Sequence, residues 1–179
     1  MTEKVQLHDL SFEPFISQAQ IEERIKSIAA DLKTDFGDKR PIFLPILNGS
    51  FVFAADFVRQ CDFDCELSFI KLASYDGLNS TGALQTMIGL TDDLTNRDVI
   101  ILEDIVDTGN TIHQFIPTLL DAKPASITTV ALLVKPDSLQ HDIEIAHVAF
   151  EIPPKFVVGY GMDYKGLGRN LPAIYQLSA

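Results

Sequence analysis

The stretch Val99-Ile100-Ile101-Leu102-Glu103-Asp104-Ile105-Val106-Asp107-Thr108-Gly109-Asn110-Thr111 decides the fold of this chain. Its first four residues are apolar and rich in β-branched side chains, the pattern of a strand buried on both faces, as in a parallel sheet. Two adjacent carboxylates close the run, Asp107 follows, and then a small polar turn containing glycine. In open α/β sheets ligands bind beyond the carboxyl ends of the strands, so the acids and the Thr108-Gly109-Asn110-Thr111 turn are expected at a site for a phosphorylated ligand. Backbone N–H groups of such a turn, opening a helix, suit a phosphate. Adjacent carboxylates suit sugar hydroxyls or a hard cation. The plainer alternative is a solvated turn in which Asp107 or Thr108 caps the next helix; the order of buried strand, acids and phosphate-suited turn favours the site.

Working outward, Ser17-Gln18-Ala19-Gln20 has capping-box form, and Ile21, Ile25, Ile28 and Leu32 follow at helical spacing with Gly37 as the stop. Pro41 to Leu47 reads as a buried strand, Phe51 to Gln60 as a short helix packed on the sheet, and Glu66 to Ala73 as the next strand. Ser74 to Gln85 carries Asp-Gly, Asn-Ser and Thr-Gly pairs and is expected to be a mobile loop. Met87 to Leu90 is the candidate returning strand. Val99 to Leu102 is the central strand and Asn110 to Asp121 the helix after it, with a kink or early end expected at Pro117. Ile127 to Val134, Ala146 to Phe150 and Phe156 to Tyr160 read as further strands. The alternation predicts an α/β fold with a mostly parallel sheet flanked by helices, and the turn-rich C-terminal third a small flap beside it.

At 179 residues the chain is about one domain. Its 25 acidic and 14 basic residues give a formal net charge of -11, which argues against a nucleic-acid partner, since phosphate backbones demand a basic footprint, and against an anionic membrane surface. The N-terminus lacks a signal-peptide pattern and no run approaches the ~18–20 apolar residues needed to span a membrane. Cys61 and Cys65, without companion His or Cys, read as free structural thiols in a reducing cytoplasm. His8, His113, His141 and His147 show no ligand spacing and are expected on surfaces or helices.

Glu103-Asp104-Ile105-Val106-Asp107-Thr108-Gly109-Asn110-Thr111, preceded by Val-Ile-Ile-Leu, resembles the phosphoribosyl-pyrophosphate motif of type I phosphoribosyltransferases. The rest of the chain is similar to the hypoxanthine-guanine members. Leu47-Asn48-Gly49 resembles their Leu-Lys-Gly loop, and Ser74-Tyr75 with Ser80-Thr81-Gly82 their mobile catalytic loop. Leu132-Leu133-Val134-Lys135 resembles the strand delivering a purine-reading lysine. Phe156-Val157-Val158-Gly159-Tyr160-Gly161-Met162-Asp163-Tyr164 resembles the base-binding hood, with Arg169 at the family's spacing. The similarity runs from Pro41 to Arg169 and is weak before it.

The resemblance implies a type I phosphoribosyltransferase fold in one domain over 1–179, with a core of about 38–150 and a hood built from the N-terminal segment and about 151–179. It implies transfer of a 5-phosphoribosyl group from phosphoribosyl pyrophosphate to a purine nitrogen, releasing pyrophosphate, with magnesium as cofactor. Glu103 and Asp104 would accept hydrogen bonds from the ribose hydroxyls, with a secondary part in the metal site. Asp107, Thr108, Gly109, Asn110 and Thr111 would wrap the 5-phosphate, and Asp107 is the candidate general base. Lys135 would donate to the purine 6-oxo group, rejecting adenine. Phe156 would stack on the base, and Val157 would touch it through its backbone. Asp163 would hold magnesium directly or through water, and Arg169 would grip pyrophosphate in bidentate fashion. Taken singly, Lys135 is a solvated strand end, Phe156 a core residue, Asp163 a turn acid and Arg169 a surface ion-pair partner. Ser74 and Tyr75 would belong to a loop that closes over the reaction and excludes water.

Asn48 stands where the family usually has lysine. The loop can still offer amides, and the family's non-proline cis peptide remains compatible with it, but a cation is lost. Magnesium and Arg169 are therefore expected to carry more of the pyrophosphate charge. The leading expectation is a purine-salvage enzyme making IMP, and GMP with it, acting as a homodimer or homotetramer in the cytoplasm. The alternatives are a regulator that senses phosphoribosyl pyrophosphate and a transferase preferring xanthine. Phe51, Phe53 and Phe57 are open to roles in the core or in an oligomer interface.

Overall fold

The computed structural model describes residues 3–74, 84–88 and 92–178. Two sheets organise them. The larger has strand order β6-β5-β3-β7-β8-β9: β3 is Ile42–Leu47, β5 Ile70–Ser74, β6 Leu84–Ile88, β7 Asp98–Val106, β8 Ser126–Val134 and β9 His147–Glu151; the short β4, Glu66–Leu67, also pairs with β3. Every pairing in it is parallel except β5 with β6. The smaller sheet is antiparallel, in the order β1-β2-β11-β10, from Val5–Leu7, Leu10–Ile16, Ile174–Leu177 and Val157–Val158. It joins N-terminal strands to C-terminal ones, a pairing that no local sequence signal announces.

Among the described residues three α-helices flank the sheets: α1 Gln18–Phe36, α2 Phe51–Gln60 and α3 Asn110–Asp121. The capping box opens α1 as expected: the Ser17 hydroxyl accepts from the Gln20 N–H at 3.3 Å and the Gln20 Oε1 accepts from the Ser17 N–H at 2.9 Å. Strand alternation explains the layers. Phe43, Ile100 and Leu102 pack with Ile25, Leu32, Phe53 and Phe57 of α1 and α2. Their sequence neighbours Ile42, Leu44, Val99 and Ile101 pack with Phe115 and Leu119 of α3 on the other face. Helices thus cover both sides of a parallel sheet, and the continuous apolar runs are explained. Phe53 and Phe57 are fully buried, whereas Phe51 is exposed, so only Phe51 stays open to an interface.

Several boundaries differ from the sequence reading. The expected strand Glu66–Ala73 is interrupted into β4 and β5, and the break sits opposite Pro45, which has no N–H to offer a neighbour: Phe43 pairs with Leu67 and Ile46 with Ile70. The returning strand β6 begins at Leu84, earlier than Met87. Tyr75, Ser80-Thr81-Gly82 and Leu90 lie outside the described residues. Helix α3 continues past Pro117 to Asp121 rather than ending early. Most consequential, β7 does not stop at Leu102 but runs through both carboxylates to Val106, because Glu103, Ile105 and Val106 keep their register with Ala131, Leu133 and Val134 of β8. No helix among the described residues is long and apolar enough to cross a membrane.

Candidate active site

The last residues of β7 carry the acids into the molecule rather than out of it. Glu103 is 5% exposed. Burial, and then the neighbouring charge of Asp104, raise its carboxyl well above the ordinary range. Asp104 is pushed up to about 6, chiefly by burial, against backbone hydrogen bonds and the Arg169 charge that lower it. Glu103 lines a cavity of about 100 Å³ formed by Asp107 to Ile112, while Asp104 lines one of about 300 Å³ with Lys135 and Phe156. Both border a third, against Leu47-Asn48-Gly49. The two acids therefore join three compartments.

A carboxylate whose folded pKa is raised costs stability above that value, and the cost disappears below the unfolded pKa near 4. Asp104→Asn should accordingly raise the stability of the ligand-free protein at pH 7.5 by roughly 1–3 kcal/mol, with the gain fading as pH falls from about 6 towards 4. Thermal melts of the two proteins across that range check this; an equal difference at pH 4 and 7.5 would refute it.

The phosphate-suited turn follows directly. Gly109, the N-cap residue of α3, has no side chain to cap the helix; the Asn110 N–H makes only a long 3.4 Å bond to the Thr108 hydroxyl, and the turn lines the 100 Å³ cavity, the setting an anion requires. The turn is braced from behind by a segment the sequence did not mark: the Gln140 N–H donates to the Thr108 carbonyl at 3.0 Å, and His141 Nε2 lies 2.5 Å from Asn110 Oδ1. His141 also stacks on His113 with ring centroids 4.0 Å apart. Neither histidine has a spacing signal, because the contact joins α3 to the segment after β8.

The 300 Å³ cavity brings together Asp107, Lys135, Phe156, Val157, Asp163 and Arg169, residues picked from distant parts of the sequence. Lys135 follows the last residue of β8 and is buried, and its ammonium donates to Asp107 Oδ2 at 2.5 Å. Phe156 is 43% exposed, so its ring is a wall of the cavity and not core; Phe12 and Tyr164 hold it, at centroid distances of 6.1 and 5.8 Å. Val157 is buried in β10. Arg169 Nη2 pairs with Asp163 Oδ1 at 2.5 Å, its Nη1 donates to the Gly161 carbonyl at 2.7 Å, and Asp163 Oδ2 accepts from the Gly166 N–H at 2.6 Å. Phe12, from β2 where the resemblance is weak, is a contributor the sequence reading missed; Tyr164 and Gly161 lie in the hood motif but had no role of their own in it.

Leu47, Asn48 and Gly49 border the acids, and the Leu47–Asn48 peptide is cis. A Cβ on Gly49 would collide with the Asp104 carboxylate, so the loop approaches the acid as closely as only glycine allows. Ser74 ends β5, pairing with Leu84, and Tyr75 lies outside the described residues. Another cavity, of about 420 Å³ between α3 and β8, lined by His113, Pro117, Thr129 and Ile143, holds none of the expected site residues.

The family model of the phosphoribosyl transferase domain matches residues 17–165, which include both acids of β7, the turn that opens α3, Lys135 and Phe156. The chain belongs to the phosphoribosyltransferase family, among its hypoxanthine-guanine members. It is 38% identical over 165 residues to a hypoxanthine-guanine phosphoribosyltransferase of Staphylococcus epidermidis, covering 92% of each chain. A crystal structure of a hypoxanthine phosphoribosyltransferase from Staphylococcus aureus superposes with a TM-score of 0.88 at 37% identity, covering 93% of this chain and 91% of that one. One of a hypoxanthine-guanine phosphoribosyltransferase from Bacillus anthracis, with HEPES in its active site, gives 0.88 at 34% identity, covering 93% and 98%. This phosphoribosyltransferase is therefore an enzyme of purine salvage with the α/β architecture of its relatives.

No group of three or more His, Cys, Asp or Glu among the described residues could hold a metal alone. That fits magnesium, which usually takes one or two carboxylates and completes its shell with water and substrate phosphates. The acids of β7, both raised in pKa by burial, Asp104 with the opposing charge of Arg169 near it, are the donors such an ion would keep ionised. Cys61 and Cys65 are free, and burial pushes the Cys61 thiol up to about 12, which leaves it inert.

Proposed function

We propose that this phosphoribosyltransferase joins phosphoribosyl pyrophosphate to hypoxanthine, and to guanine, giving IMP or GMP and pyrophosphate in a single domain. The observation that carries this reading is Lys135: a buried ammonium facing a cavity walled by Phe156 and closed by Asp107. A 6-oxo group accepts from that ammonium. The amino group of adenine cannot, and an unpaired buried donor costs ~1–3 kcal/mol. In this reading Glu103 and Asp104 take the ribose hydroxyls, and Thr108 to Thr111 the 5-phosphate. Glu103, Asp104 and Asp163 are the carboxylates that would hold magnesium, which when bound would supply positive charge to the pyrophosphate. As the C1–O bond to pyrophosphate breaks, C1 gains oxocarbenium character, and the β7 carboxylates stabilise that charge. Phe156 holds the base against C1, and Asp107 takes or shares the proton of its imidazole ring as the C1–N bond forms. Incubation of the protein with phosphoribosyl pyrophosphate, magnesium and hypoxanthine should yield IMP; absence of turnover with every 6-oxopurine would refute the proposal.

Asp107, Lys135 and the aromatic wall favour an enzyme over a sensor of phosphoribosyl pyrophosphate, which needs no proton acceptor beside the base. Xanthine as preferred base is separated by comparing kcat/KM for the three 6-oxopurines. The protein acts in the cytoplasm as a homo-oligomer, for which the exposed Phe51 beside the Asn48 loop is the anchor.

Asn48 leaves Arg169 and Lys135 as the only cations lining these cavities among the described residues. Asn48→Lys should lower KM for phosphoribosyl pyrophosphate about three- to tenfold, the worth of one charge-assisted contact, and flatten its magnesium dependence. Unchanged affinity would mean that position 48 carries no pyrophosphate charge.

A further inference from the structure

The two groups that must act separately on a purine are tied to each other: the Lys135 ammonium and the Asp107 carboxylate share a 2.5 Å ion pair, with the lysine side chain 9% exposed and the aspartate side chain 50% exposed. The backbone reinforces the link, since the Lys135 N–H donates to the carbonyl of Val106, the residue before Asp107, at 3.0 Å. Resting on the proposed reading of Lys135 and Asp107, we infer that this pair is a latch, and that a purine's 6-oxo group opens it. When the oxygen takes the ammonium, the carboxylate loses its tightest partner and turns to the imidazole side of the same base. The substrate's six-membered ring thereby frees the residue that serves its five-membered ring.

Electron and proton accounting is the ordinary one for this transfer. The C1–O bond breaks with its electron pair leaving on pyrophosphate, the purine nitrogen supplies the pair for the new C1–N bond, and the displaced ring proton goes to Asp107. The latch adds a condition on the last step. A base without a 6-oxo group enters the cavity but leaves Asp107 held by Lys135, so it is penalised in kcat as well as in KM. Recognition by a hydrogen bond alone predicts a different pattern: loss of Lys135 then harms 6-oxopurines and cannot help any other base.

The test uses the full chain with phosphoribosyl pyrophosphate, magnesium and either hypoxanthine or unsubstituted purine, comparing wild type with Lys135→Met. The variant should lose kcat/KM for hypoxanthine yet gain kcat for purine, by about three- to tenfold for a pair of this partial exposure. A purine kcat that is unchanged or lower overturns the latch. Should Lys135→Met fail to fold, the wild-type protein decides: the ¹³Cγ resonance of Asp107, with magnesium pyrophosphate present, is expected to move on saturation with hypoxanthine and to stay in place with purine. The same displacement by both bases, or by neither, overturns the inference. Absence of hypoxanthine turnover in the wild type is a separate result, which removes the proposed function itself.

Discussion

Asp107→Asn should lower kcat for hypoxanthine about hundredfold or more, with KM for the base unchanged or smaller. The first half follows from the role: proton transfer by a positioned side chain is worth roughly 10²–10⁴, and an amide keeps the shape of the carboxylate but neither takes a proton nor offers its charge. The second half follows from the structure. Asp107 holds the Lys135 ammonium, so in the proposed reading weakening that pair removes a competitor of the purine 6-oxo group. Removing the charge also leaves a buried ammonium less compensated. Because Asp107 is half-exposed, water screens most of that cost and the fold should survive. Steady-state kinetics with a thermal melt check all three points. A parallel rise in KM with little loss of kcat would assign Asp107 to binding instead.

Why was this residue visible in the sequence while its partner's influence was not? Asp107 sits in a contiguous motif, where a buried strand, acids and a glycine turn follow one another, and local order of that kind is written in the chain. So are the helices: the Ser17–Gln20 box and the Phe51–Gln60 segment depend on neighbours a few residues away. The end of β7 is not local. Glu103 and Asp104 look like loop residues because charged side chains rarely continue a buried strand, yet pairing with β8 carries the strand on. The same holds for the pairing of Lys135 with Asp107 and of Phe156 with Phe12, which join segments far apart in sequence. Asp163 with Arg169 and Phe156 with Tyr164 are six and eight residues apart and meet through the turns after β10, and only the resemblance to a known family placed some of these residues in one site beforehand.

Gly161→Ala is expected to cost about 3 kcal/mol of stability, adding strain of ~1–2 kcal/mol for an L-residue at positive φ to overpacking of ~1–3 kcal/mol, and to lower kcat/KM about hundredfold. Gly161 has φ +101°, and a Cβ there would run into the carbonyl oxygen of Gly49 and meet its carbon at 3.3 Å. Gly49 in turn leaves no room for a Cβ against Asp104. The Gly161 carbonyl accepts from Arg169 at 2.7 Å, and its N–H donates to the Arg169 carbonyl at 3.0 Å. One methyl group would thus displace the Leu47-Asn48-Gly49 loop, the β7 acid and the arginine together. The atoms met are backbone, so no rotamer change relieves them, and a misplacement of about 1 Å in such a site costs about 10²-fold in rate. Gly166 provides the comparison: it too has positive φ, +87°, but nothing lies within 4 Å of its Cβ position. Gly166→Ala should show the backbone strain alone. If both variants melt alike and Gly161→Ala keeps its kcat/KM, the contact between the Gly161 turn and the Asn48 loop does not hold the site together.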